Sequence, residues 1–182
     1  MTTPLPEREK HAVLLAGPPG IGKTTVIRRV AGGLEGRRIG GFWTEEMRVG
    51  GERAGFKLET FDGRSMVFAH VDIRSAHRVS KYGVDVGALE RIADSALDPA
   101  GGAEVYLIDE IGKMECLSAR FVEAATALLD SQKPVVAAIA ARGGGFIERA
   151  KSRTDVEVWK VTGGNRDSLP SAVLAWLDSR SR

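Results

Sequence analysis

The sequence predicts an α/β fold of three layers, in which helices cover both faces of a mostly parallel central sheet. Short apolar runs at 12–16, 105–108, 135–140 and 156–161 lack the alternation of half-exposed strands, so they indicate strands buried on both faces. Segments with apolar residues three and four apart lie among these runs and indicate amphipathic helices. Strands that alternate with helices favour parallel pairing through right-handed crossovers.

Each helical segment has one apolar stripe. The stripes run through Val26, Val30 and Leu34; Leu89, Ile92, Ala93 and Ala96; Phe121, Val122, Ala125, Leu128 and Leu129; and Val173, Trp176 and Leu177. Ser118 stands just before the third stripe, and Ser168 stands before the last one with Pro170 in its first turn. Both serines are therefore predicted helix N-caps.

The region from 39 to 71 does not follow this alternation of buried strands and amphipathic helices. It contains two runs of aromatic and aliphatic residues with Gly50 and Gly51 between them. Because adjacent glycines readily adopt the positive φ angles of a tight turn, the pattern predicts an antiparallel β-hairpin added to the parallel sheet.

The length of 182 residues predicts one domain, which we place at 12–182. The first 11 residues contain two prolines and five charged or histidine positions, so they indicate a flexible lead-in without the apolar core of a signal peptide. No apolar run approaches the roughly 20 residues that cross a bilayer. Membrane insertion is not expected.

Composition indicates which binding partners and which cellular compartment to expect. The net charge of +2 gives no large positive field, so nucleic acid binding is unsupported. Cys116 is the only cysteine, which excludes an internal disulfide and favours the cytoplasm. We expect a monomer.

A phosphate-binding motif follows the first strand directly. It consists of Gly17, Pro18, Pro19, Gly20, Ile21, Gly22, Lys23, Thr24 and Thr25, and it satisfies G-x-x-x-x-G-K-[ST] between a predicted strand and a predicted helix. The glycines let backbone N–H groups point at a β-phosphate, and the helix adds its positive dipole end. Lys23 is predicted to bridge the β- and γ-phosphates, and the Thr24 hydroxyl is predicted to ligate Mg²⁺. The fold is therefore predicted to be a P-loop NTPase fold.

A second metal contact is expected at the end of a neighbouring strand. The run at 105–108 is followed by Asp109 and Glu110. We assign Asp109 to the Mg²⁺ shell and Glu110 to orienting or deprotonating the attacking water. Both carboxylates would otherwise simply end a strand in solvent.

These motifs resemble one narrow family. The stretches Gly-Phe-Trp-Thr-Glu-Glu at 41–46 and Ile-Asp-Glu-Ile-Gly-Lys-Met-Glu at 108–115 accompany the P-loop, with further matches at 82–86, 161–162 and 165–166. Together they resemble the small cytoplasmic nucleoside-triphosphatase family that includes the human cancer-related nucleoside triphosphatase.

The resemblance implies slow hydrolysis of several nucleoside triphosphates, including ATP and GTP, to diphosphate and phosphate. It also implies nucleotide contacts at 17–24 and 106–113. Cys116 departs from the leucine usual there, and a small buried apolar role is favoured over a nucleophile.

Other polar residues keep two interpretations. Lys113 either neutralises phosphate charge or pairs with Glu110 or Glu115.

Asn165 and Arg166 follow a strand end near the expected nucleotide edge, and the guanine-reading N-K-x-D pattern is absent because residue 168 is serine. Strict GTP specificity is therefore not predicted.

Two further groups are candidates for the site. Strand alternation places Thr44 and Glu46 on one face and Glu45 on the other, so at most one side of this acidic pair faces the site. A basic group forms either a lid over the transferring phosphate or a solvated loop. Its members are Arg74, His77, Arg78 and Lys81.

Two alternative functions share this motif. A small-molecule or nucleotide kinase has the same loop but binds an acceptor that excludes water. A slow nucleotide-dependent regulatory switch binds a partner in one nucleotide state. Phosphate release without an acceptor favours hydrolysis over both.

Overall fold

The computed structural model describes residues 9–180, and within them it contains nine strands, five α-helices and one 3₁₀ turn. The strands are β1 (Ala12–Gly17), β2 (Ile39–Val49), β3 (Glu52–Thr60), β4 (Ser65–His70), β5 (Arg78–Val79), β6 (Tyr82–Val84), β7 (Val105–Ile111), β8 (Val135–Ala140) and β9 (Val156–Lys160). The helices are α1 (Lys23–Gly32), α2 (Val86–Ala96), α3 (Ala119–Asp130), α4 (Phe146–Lys151) and α5 (Leu169–Asp178), and the 3₁₀ turn is Glu115–Leu117.

All nine strands form one mixed sheet in the order β5-β6-β4-β3-β2-β7-β8-β1-β9. The strands β7, β8, β1 and β9 pair in parallel, as the buried apolar runs predict. The start of β2 also pairs in parallel with β7, which was not predicted. Residues of α2, α3 and α4 pack on one face of the sheet, and those of α1 and α5 pack on the other. The predicted three-layer α/β fold is therefore confirmed.

The antiparallel addition is larger than the predicted hairpin. Strand β2 pairs in parallel with β7 over its first four residues and then antiparallel with β3, which continues into β4, β6 and β5. The turn at Gly50 and Gly51 has φ angles of 59° and 85°, as expected. The short strands were not predicted because β5 and β6 have only two and three residues, too few for a period.

The two serines predicted as helix N-caps form different hydrogen bonds in the structure. The Ser118 hydroxyl accepts a hydrogen bond from the Phe121 N–H at 3.0 Å and caps α3. Ser168 stands at the N-cap position of α5, as predicted, but its hydroxyl caps no helix N–H and donates instead to the Asn165 carbonyl at 3.0 Å. Helix α4 was not predicted, since six residues present less than two turns of stripe.

The predicted lead-in at 1–11 lies mostly outside the described residues. Its last residue is firmly held: the His11 ring nitrogen Nε2 lies 2.6 Å from the Leu129 carbonyl oxygen, and the His11 carbonyl accepts from the Val135 N–H at 3.0 Å. His11 is therefore bound to both α3 and β8. None of the helices in the described part of the chain is long and apolar enough to cross a membrane.

Candidate functional site

The glycine-rich loop lies at the carboxyl end of β1 and leads directly into α1. Gly20 and Gly22 have φ angles of 76° and 112°, conformations that side chains with a Cβ rarely adopt. A Cβ on Gly17 would lie 2.9 Å from the Ile21 side chain and 3.2 Å from the Val161 carbonyl oxygen. The loop is thus wound tightly before α1 begins at Lys23, as predicted, and the first N–H groups of a helix start such as this one have no partner within the helix.

Lys23 connects this loop to β7. Its side chain is only 6% exposed, and Nζ donates to the Gly17 carbonyl at 2.6 Å and the Pro18 carbonyl at 3.3 Å. The same nitrogen lies 3.3 Å from Oε2 of Glu110. A buried ammonium needs such partners, because burial without them is costly. The ammonium therefore lies between the glycine-rich loop and a carboxylate.

The two predicted acidic residues lie in a bulge of β7. Ile108 pairs with Ala137 and Ile111 pairs with Ile139, so Asp109 and Glu110 stand opposite one residue of β8. The bulge redirects a side chain, so two consecutive carboxylates reach the same end of the sheet. Strand β8 lies between β7 and β1, which corrects the expectation that the acidic strand adjoins the P-loop strand. Helix α1 packs on both β7 and β8 and spans the gap.

Asp109 contacts Thr24, the other predicted Mg²⁺ ligand. Burial raises the pKa of Asp109 to about 6, against a hydrogen bond from the Thr24 side chain and the nearby charge of Lys23, which lower it. Mg²⁺ prefers oxygen ligands and usually keeps several waters while binding one or two protein oxygens and substrate phosphates. The adjacent hydroxyl and carboxylate fit that pattern. Among residues 9–180, no group of three or more His, Cys, Asp or Glu side chains forms a closed metal cage.

Thr44 holds Asp109 in place. Its hydroxyl donates to the Asp109 carbonyl oxygen at 2.5 Å, and its N–H lies 3.4 Å from Oδ2. Glu46 instead forms ion pairs with Arg48 and Arg53, and Glu45 pairs with Lys57 at 2.8 Å. Of Thr44, Glu45 and Glu46, only Thr44 therefore contacts a predicted site residue in the described structure.

A third carboxyl, which sequence reasoning considered only as a partner for Lys113, lies beside the first two. Glu115 is 4% exposed, and burial followed by the charge of Glu110 raises its pKa to about 8. The pattern of the sequence gave little signal for it, because the 3₁₀ turn after β7 returns the chain toward the site. Lys113 is exposed and forms no ion pair with either glutamate in the described residues.

The loop after β9 lies against the P-loop. The Asn165 amide shapes this loop, accepting from the Thr162 N–H and donating to the Lys160 carbonyl, both at 2.8 Å. Arg166 reaches the Ile21 carbonyl oxygen at 3.4 Å. A cavity of about 240 Å³ opens here, lined by Gly22, Thr25, Arg29, Arg166 and Asp167. Arg166 and Thr25, both predicted nucleotide contacts, thus line the same cavity.

The predicted basic group lies away from this site, and Cys116 follows Glu115 in the 3₁₀ turn. Arg78 and Lys81 belong to the β5–β6 hairpin at the far edge of the sheet, where Arg78 donates to the Lys81 carbonyl at 2.8 Å and Lys81 lies over the Tyr82 ring. This placement favours the solvated loop over the lid. Burial raises the pKa of the Cys116 thiol to about 12, which fits the predicted apolar role.

The fold and the site define a P-loop nucleotide-binding protein, and comparison with known proteins specifies the family. The family model described as NTPase matches residues 12–174. Nucleoside-triphosphatase THEP1 of a Thermotoga species is 42% identical over 91% of this chain and 94% of its own length. The cattle cancer-related nucleoside-triphosphatase homolog is 34% identical over 92% and 96%.

Two solved structures share the fold. The crystal structure of THEP1 from the hyperthermophile Aquifex aeolicus superposes with a TM-score of 0.84 at 32% identity, covering 92% of this chain and 99% of that one. The solution structure of a human cancer-related nucleoside triphosphatase gives 0.81 at 34% identity, covering 95% and 99%. The chain therefore belongs to the NTPase family, a family of enzymes whose members in these comparisons are named nucleoside-triphosphatases.

Proposed function

We propose that the protein hydrolyses nucleoside 5′-triphosphates, ATP and GTP among them, to the diphosphate and phosphate in the presence of Mg²⁺. The observation that carries the proposal is the 3.3 Å contact between Lys23 Nζ and Glu110 Oε2, which joins the anion-binding loop to a carboxylate. Thr24, the next residue of α1, contacts Asp109, the residue before Glu110. Phosphate-binding, metal-binding and water-activating groups are thereby within reach of one γ-phosphate.

Each group has a distinct role in this proposal. The loop amides and Lys23 bind the β- and γ-phosphates, and Thr24 and Asp109 would hold Mg²⁺, which would supply positive charge next to the phosphate oxygens. Glu110 has a side chain 33% exposed, so water reaches it, and its carboxylate orients or deprotonates the attacking water. The exposed Lys113 is free to approach a phosphate.

Broad nucleotide use is part of the same proposal. The cavity beside Arg166 takes the nucleoside end, and its lining has one guanidinium from the β9–α5 loop and no N-K-x-D set there to read guanine. We also infer that the protein works as a cytoplasmic monomer without nucleic acid, since its single cysteine is unpaired and its net charge is only +2.

Phosphate release from the common ribonucleoside and deoxyribonucleoside triphosphates, with and without Mg²⁺, tests this function. We expect release without any added acceptor and its loss in excess chelator. Release that requires an acceptor would identify a kinase instead. Nucleotide binding without turnover, together with a partner retained only with a non-hydrolysable analogue, would identify a regulatory switch.

Thr24→Ala is expected to alter the Mg²⁺ dependence of phosphate release by weakening Mg²⁺ binding. The change removes the hydroxyl that contacts Asp109, so one of the two proposed protein ligands is lost. A Mg²⁺ titration of phosphate release should shift to higher metal concentration, by about 10-fold if one charge-assisted contact of roughly 1.4 kcal/mol is lost. Thr126→Ala is the matched comparison, since that hydroxyl donates to the Val122 carbonyl at 2.7 Å within α3, and it should leave the titration unchanged. An unchanged titration for Thr24→Ala would place the metal elsewhere.

A further inference from the structure

Glu115 is a buried carboxyl without a basic partner among the described residues. It lies in the 3₁₀ turn that follows β7, is 4% exposed, and accepts hydrogen bonds from its own N–H and the Gly112 N–H. Burying an unpaired carboxylate is costly, so a polar group is kept there only with partners that satisfy it. The nearest charged side chains that affect it are Glu110 and Asp109, which are also acidic.

Gly112 lies beside the carboxyl groups of both Glu110 and Glu115. A Cβ added to Gly112 would lie 2.7 Å from Oε1 of Glu110 and 2.8 Å from Oε2 of Glu115. One oxygen of each carboxyl group therefore lies close to Gly112, and the two carboxyl groups are near neighbours. The other oxygen of Glu110, Oε2, faces Lys23. The two oxygens of Glu110 therefore have different neighbours.

We propose that Glu115 is a positioning residue, which holds the Glu110 carboxylate toward Lys23 and the attacking water through a carboxyl–carboxylate hydrogen bond across Gly112. The proposal rests on the proposed role of Glu110. Burial and the neighbouring charge of Glu110 raise the pKa of Glu115 to about 8, so its acid form donates the proton at neutral pH. Such a bond to a charged acceptor is stronger than a neutral one and fixes the acceptor's direction.

Substitutions on either side of this contact test the proposal. Glu115→Gln keeps an N–H donor of the same shape, so kcat should stay within about 3-fold of the parent. Glu115→Leu removes the donor, and Gly112→Ala puts a methyl group between the carboxyls. Each of these two should lower kcat by about 10-fold, the effect of one hydrogen bond to a charged group, with KM unchanged. Gly144→Ala, where an added Cβ meets nothing within 4 Å, is the control.

The same changes in a Glu110→Gln background distinguish positioning from a structural role. Because Glu115 acts through Glu110, Glu115→Leu and Gly112→Ala should have no further effect on kcat there. An equal loss in both backgrounds, or a loss for Glu115→Gln as large as for Glu115→Leu, would overturn the proposal. Parental turnover in Glu110→Gln itself would instead overturn the role of Glu110, and this inference with it. Thermal unfolding checks that each variant folds, and Gly112→Ala keeps the test if Glu115→Leu does not.

Discussion

Lys23→Ala is expected to weaken ATP binding by about 100-fold or more. The ammonium is the buried positive charge within the glycine-rich loop, and it would contact two phosphate groups, each contact being a charge-assisted hydrogen bond of roughly 1.5–3 kcal/mol. The change also leaves Glu110 without its ion pair, which places an unpaired carboxylate beside the γ-phosphate. Both effects act against binding of a polyanion.

Titration calorimetry with a non-hydrolysable ATP analogue and Mg²⁺ measures this loss. Lys133→Ala is a suitable control because it removes the same charge at the opposite end of the parallel strands, where Lys133 donates to the Ala103 carbonyl at 3.3 Å. That control should bind as tightly as the parent. Unchanged affinity in Lys23→Ala would count against the assignment of the loop as the phosphate site.

The P-loop could be predicted from the sequence because its geometry is encoded locally. Gly20 and Gly22 adopt the positive φ angles that the motif implies, and α1 begins at Lys23 as expected. The buried parallel strands were likewise recognisable, since residues enclosed on both faces must be apolar over the whole run. In both cases a few consecutive residues contain the information.

The features that the sequence did not reveal depend on long-range packing. The bulge at Asp109 and Glu110 is defined only by pairing with β8, and the 3₁₀ turn that returns Glu115 to Glu110 leaves no periodic signal. His11 was assigned to a lead-in, yet its environment comes from Leu129 and Asp155, more than a hundred positions away. Such contacts arise only when distant segments pack together.

Glu110→Gln is expected to lower kcat on the order of 10²-fold and to preserve nucleotide affinity. The amide keeps the shape of the side chain but cannot accept the proton of the attacking water. General-base assistance contributes about 10²- to 10⁴-fold, and phosphoryl transfer through a loose transition state depends mainly on positioning and charge, so the lower end applies. Affinity should survive because the loop amides, Lys23, Thr24 and Asp109 are unchanged.

Single-turnover phosphate release and calorimetry on the same preparation separate these two effects. Glu104→Gln is the matched control, since Glu104 precedes the opposite end of β7 and accepts from the Arg38 N–H at 3.0 Å. It should hydrolyse ATP at the parental rate. If the folded Glu110→Gln variant does so too, Glu110 is not the catalytic carboxylate. Glu45 and Glu46 then become the candidates, and their ion pairs with Lys57 and with Arg48 and Arg53 would have to open for either to reach the γ-phosphate.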